Sequence, residues 1–110
     1  MTRYAIIITL DTDTLAKVYT GNSIASAYTD IEEILRSYGF YHKQGSVYFG
    51  DGGVDAVHTV IAVQKLSKKY DWFAPSVQDV RMIRIEEDSD LMVAIRFAYL
   101  ESNKWAIYVF

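Results

Sequence analysis

Two carboxylates, Asp11 and Asp13, stand in Leu10-Asp11-Thr12-Asp13-Thr14, directly after an apolar run. A carboxylate can act as a general base or as a ligand for a hard, oxygen-liganded cation. In a Thr/Asp-rich stretch it can equally close a turn by accepting backbone N–H groups. A second polar group, Lys43, Gln44 and Ser46, surrounds Gly45. Ammonium, amide and hydroxyl groups suit contacts to phosphates and base edges, and the same residue types also build turns. Arg81 and Arg84 are three residues apart on a strand-like segment, so they face opposite ways. Arg84 is the candidate phosphate contact, and an ion pair with Asp79 or Glu86 is expected for one of the two. His42 and His58 show no metal-ligand spacing. The chain has no cysteine, which excludes thiol chemistry and disulfides. Gly50-Asp51-Gly52-Gly53 precedes a helical pattern but lacks the lysine of a phosphate loop, and reads as a turn.

These groups need elements to hold them. Tyr4–Leu10 is β-branched and apolar on both alternating faces, which predicts a strand covered on both sides. Residues 11–21 are polar and turn-like. From Ser23 to Tyr38 the residues Ile24, Tyr28, Ile31, Leu35 and Tyr38 recur at steps of four and three, the stripe of an amphipathic helix. Asn22 or Ser23 caps its start and Gly39 stands where it ends. Phe40–Phe49 reads as two short strands broken near Gln44-Gly45. A second helix is expected over about Val54 to Tyr70, with Lys65, Lys68 and Lys69 near its negative pole. Trp72 to Ser76 forms a connection, and Val80–Glu86 alternates as a further strand. The order β-α-β-β-α-β is the split βαβ pattern of a ferredoxin-like α+β fold. Leu91–Leu100 fits a helix or a strand. Trp105–Phe110 fits an edge strand that pairs with its own sheet or with that of a second subunit.

The chain has 110 residues, 51% hydrophobic and 15% aromatic, enough for the core of one domain spanning 1–110. A net charge of -3 with scattered cations argues against tight, sequence-independent DNA binding. The first apolar run is too short to span a bilayer and is followed by acids, so a cytoplasmic protein without membrane contact is expected.

Gly39-Phe40-Tyr41-His42-Lys43-Gln44-Gly45-Ser46-Val47-Tyr48 resembles a signature of the virulence-associated protein D (VapD) family, in which Gly-Phe precedes Gln-Gly-Ser-Val-Tyr. Trp72-Phe73, Ser76-Val77-Gln78-Asp79-Val80-Arg81, Arg84-Ile85-Glu86 and Ser89-Asp90 resemble its second block. Tyr4-Ala5 and Ala27-Tyr28-Thr29-Asp30-Ile31 also match, so the resemblance covers roughly residues 3–96, with 97–110 as an extension.

The resemblance implies a ferredoxin-like homodimer meeting through its sheets, related in fold to small CRISPR-associated nucleases. It also implies an endoribonuclease acting on RNA, in some members the toxin of a pair with an antitoxin protein. An acidic residue at the end of the first strand is implied near the dimer axis, where carboxylates from two subunits could share Mg2+. This chain carries Thr9 at that position, and Asp11 is two residues on. Gln78 stands where relatives usually have arginine. Asp11 and Asp13 are therefore the expected catalytic acids, Asp11 the expected metal ligand, and Lys43, Gln44, Ser46 and Arg84 the expected RNA contacts. The competing expectation is a non-catalytic dimeric module that binds and regulates a partner protein.

Overall fold

The computed structural model describes residues 3–102. The elements run β1 (Arg3–Leu10), α1 (Thr12–Val18), α2 (Ile24–Ser37), β2 (Phe40–Gln44), β3 (Val47–Gly50), α3 (Ala56–Lys69), α4 (Phe73–Ser76), β4 (Val77–Ile85) and α5 (Met92–Ser102). The four strands form one antiparallel sheet in the order β2-β3-β1-β4. This is the ferredoxin-like arrangement, with β1 central between β3 and β4, both from the second half of the β-α-β-β-α-β order.

The period-2 and period-3.6 patterns meet in one core. Ile6, Ile8 and Leu10 from one face of β1 are buried with Ala27, Ile31 and Leu35 of α2 and with Ala62 and Leu66 of α3. Each main helix carries its own start signal. Ser23 caps α2 through Ser26 N–H (3.4 Å), and Asp55 caps α3 through His58 N–H (2.7 Å). Gly39 ends α2 at φ 89°, a left-handed conformation that suits glycine.

The reverse face of the sheet carries Ala5, Ile7 and Thr9, opposite Ile83, Arg81 and Asp79 of β4. Val47 and Phe49 lie opposite Ile7 and Ala5 on the other side. The expected cover on both sides of β1 is thus met by helices on one side only. Ile83 and Tyr41 on the reverse face are 45% and 44% exposed. Glu86–Asp88 skirts one margin of this face, with Arg3 paired to Asp88 at 3.9 Å.

Two expectations are corrected, and the helix is found where helix and strand both fitted. Residues 11–21 are not all turn: α1 occupies Thr12–Val18 and buries Leu15. The connection before the last strand contains the single turn α4, and β4 begins at Val77 rather than Val80. The ambiguous tail segment is helical as α5, and buries none of its residues. The radius of gyration, 18.2 Å, exceeds the about 13 Å of a compact 100-residue domain, because α5 stands off the body. The strand expected over Trp105–Phe110 lies outside the described residues. Among the described residues, no helix is long and apolar enough to cross a membrane.

Candidate functional site

β1 ends at Leu10, and the chain turns at once into α1. Asp11 N–H donates to the Ser76 carbonyl at 2.7 Å, which fastens the turn to the start of β4. The Asp11 side chain then caps α1. Its Oδ1 accepts from the N–H groups of Asp13 (3.1 Å) and Thr14 (3.4 Å), and its Oδ2 from Thr14 Oγ1 (3.0 Å). The Thr14 hydroxyl, followed by the Thr14 N–H, holds the Asp11 carboxyl below its ordinary value. Asp13 lies in the first turn of α1, where a negative charge suits the helix dipole. The strand therefore does not continue through Asp11.

On the reverse face, Thr9 is paired directly with Asp79 of β4. Directly opposed residues of an antiparallel pair point to the same side of the sheet. At the level of Thr9, on that face, the carboxylate comes from the neighbouring strand. Asp79 is half-exposed, and its Oδ2 accepts from Arg81 Nε at 3.0 Å. The register shifts just beyond, between Thr9 and Leu10, which leaves Gln78 as the unpaired residue of a bulge.

The β2–β3 hairpin closes the other side. Ile8 N–H donates to the Ser46 carbonyl at 3.0 Å, so Ser46 flanks the end of β1. Ser46 thus lies across from Ile8, toward the helix-covered face, while Thr9 and Asp79 share the reverse face. Lys43 lies with its Nζ 5.6 Å from the Phe49 ring centre, and Lys43 and Gln44 border a recess completed by Asp88–Leu91. Arg84 stands opposite Tyr4 at the far end of the sheet, ion-paired with Glu86. Five strand positions, roughly 17 Å, separate it from Asp79. Both arginines thus have the acidic neighbours that the sequence offered them. The structure gathers Thr9, Asp79 and Arg81 on the reverse face, leaves Ser46 beside the end of β1, and keeps Asp11 and Asp13 on the α1 cap.

A Mg2+ ion asks for near-octahedral oxygen ligands. Among the described residues of one subunit, no three His, Asp or Glu side chains gather around a point that could hold a metal. Asp11, the expected ligand, already accepts three hydrogen bonds within α1. The residues of a single subunit do not fit the ion, and no step below is routed through one.

No family model matches the chain. Individual relatives do. It is 52% identical over 92 residues to Endoribonuclease VapD 2 of Riemerella anatipestifer, covering 84% of this chain and 98% of that one. The chain belongs to the VapD family. It is also 44% identical to an Endoribonuclease VapD homolog of Helicobacter pylori (84% of this chain, 96% of the relative), and 38% identical to Endoribonuclease VapD of Dichelobacter nodosus (86% and 99%). For a VapD chain the departure at Thr9 now has a structural counterpart, because Asp79 puts a carboxylate directly across from it.

Proposed function

We propose that this protein is an endoribonuclease that cleaves cellular RNA by acid–base chemistry at Thr9, Asp79 and Arg81 on the reverse sheet face. The supporting observation is the Thr9–Asp79 pairing, which puts a half-exposed acid on the open sheet face beside a guanidinium. Asp79 takes the proton of a ribose 2′-hydroxyl. The freed oxygen attacks the adjacent phosphorus, and the bond to the 5′-oxygen of the next nucleotide breaks. That oxygen leaves with a proton from water, and the upstream fragment ends in a 2′,3′-cyclic phosphate. Arg81 opposes the charge on the phosphorane. An arriving phosphate replaces Asp79 as the partner of Arg81, which releases the carboxylate to act as base.

The functional unit in this reading is a homodimer joined through the reverse sheet face, where Ile7, Val47 and Ile83 would otherwise meet water. A 110-residue domain gains by covering such surface. The cellular role is that of a toxin restrained by an antitoxin protein, and the unburied apolar helix α5 supports the existence of a protein partner. A second reading keeps the dimer and drops the chemistry: a module that regulates a partner through α5. Thr9 in place of the family's aspartate favours it.

Incubation of the purified chain with total RNA, with and without EDTA, tests the first reading. Cleavage that survives EDTA and leaves 2′,3′-cyclic phosphate ends is expected. Intact RNA under both conditions would favour the regulatory module, and cleavage only with added Mg2+ would overturn the metal-free mechanism.

A further inference from the structure

A recess at the same end of the sheet is lined by Ile8, Thr9, Leu10, Tyr28, Gly45 and Ser46 and encloses about 340 Å3, within the size range of small-ligand sites. Ile8 and Leu10 belong to the buried core and give it an apolar floor. Ser46 and Tyr28 are its hydroxyl-bearing residues on the helix-covered side, neither hydroxyl in a hydrogen bond among the described residues. None of the lining side chains is charged.

Tyr28 is the unusual member. It belongs to the apolar stripe of α2, yet it is 39% exposed while Ile31 and Leu35 on the same stripe are buried. No hydrogen bond or ring contact holds it among the described residues. Across the recess the backbone turns at Gly45 (φ 50°), where a Cβ would meet nothing within 4 Å. The hairpin side of the recess therefore has no side chain at Gly45 to fill it.

We propose that this recess is a nucleobase pocket of the RNA site, with Tyr28 as its stacking platform and the Ser46 hydroxyl facing the base edge. The inference rests on the RNA-cleaving reading above and adds to it a residue that selects and orients the substrate. The uncharged lining suits a base rather than a phosphate. The position suits it as well, because Thr9 lines the recess and is paired with Asp79 on the next strand. With a net charge of -3, the protein has little general attraction for a phosphate backbone, so a contact independent of charge has more to contribute.

The test uses the full chain and a single-stranded 2′-O-methyl oligonucleotide carrying 2-aminopurine, which cannot be cleaved at the 2′-oxygen and whose fluorescence is quenched by stacking. Quenching on binding is expected, retained in Tyr28→Phe and lost in Tyr28→Leu, which keeps the apolar bulk without a π face. The Kd should weaken about 5- to 150-fold in Tyr28→Leu, the range of one base–aromatic stack, and by the same factor at low and high salt. A matching thermal midpoint of Tyr28→Leu and Tyr28→Phe separates this from a packing defect. Binding without quenching, quenching unchanged in Tyr28→Leu, or no binding at all would each overturn the pocket. Because this readout needs no turnover, it stands apart from failure of the cleavage reading. Conversely, a Tyr28→Leu protein that cleaves RNA as fast as the wild type, at the same positions, removes the pocket and leaves the endoribonuclease intact.

Discussion

At the scale of single residues, the two acids that stand out in the sequence and the acid that faces the open sheet have different tasks. Asp11 uses both carboxylate oxygens on α1, and an asparagine can take over much of a helix cap. Asp11→Asn is therefore expected to fold and cleave RNA within a few-fold of the wild type, whereas Asp11→Ala lowers the thermal midpoint. The folded carboxyl lies below its unfolded value, so its contribution is present above the unfolded pKa and is lost as pH falls through the folded one. Melting curves between about pH 5 and pH 2 check this, and the wild type should lose its advantage over Asp11→Ala across that interval. The cap was readable as an Asp followed by Thr at the third position. The role of Asp79 was not, because it depends on which residue of β1 lies across from it, and cross-strand register is not a local property of either segment.

At the scale of elements, periodicity located α2, α3 and the central strands, since each carries one clean apolar face. It missed α1 because seven residues give a single buried position, Leu15, and the Thr and Asp around it weigh toward a turn. The core these elements share has a sharp mechanical prediction. Phe40, 1% exposed at the start of β2, joins the sheet to α2, and Phe40→Ala should cost about 3–5 kcal/mol in denaturant unfolding. A second prediction concerns alkali. Burial pushes the Tyr48 hydroxyl up to about 12 and also raises Tyr19 and Tyr70. A raised folded pKa stabilises fully below the unfolded value and is lost as pH rises through the folded one. Stability should therefore fall between about pH 10 and pH 12, and Tyr48→Phe, which has no proton to lose, should flatten that fall.

At the scale of the whole molecule, the two-faced apolarity of β1 and the single helical layer leave one sheet face for a partner. Ile83 lies two residues from the end of β4 on that face, opposite Ala5. Ile83→Glu should convert a dimer to a monomer in multi-angle light scattering at micromolar concentration, and cleavage should fall with it. An unchanged mass would remove the sheet face from the assembly. The fold was legible because a β-α-β-β-α-β order admits few arrangements. The site was only half legible: Ser46 belongs to a local motif, while Asp79, Arg81 and Tyr28 acquire meaning only when β4, β1 and α2 meet at one end of the sheet. α5 shows the remaining gap, since apart from Arg96 and its last turn it is apolar nearly all round, and Val93, Ile95, Phe97 and Tyr99 fit a strand face as well as a helix.

The most direct measurement is the single-turnover cleavage rate of one defined RNA by the wild type, Asp79→Asn and Asp11→Asn, each with its thermal midpoint. Loss of a general base corresponds to about 10²–10⁴-fold, so Asp79→Asn should fall by that factor at an unchanged midpoint while Asp11→Asn keeps its rate. Full activity in Asp79→Asn, or loss confined to Asp11→Asn, would contradict the account.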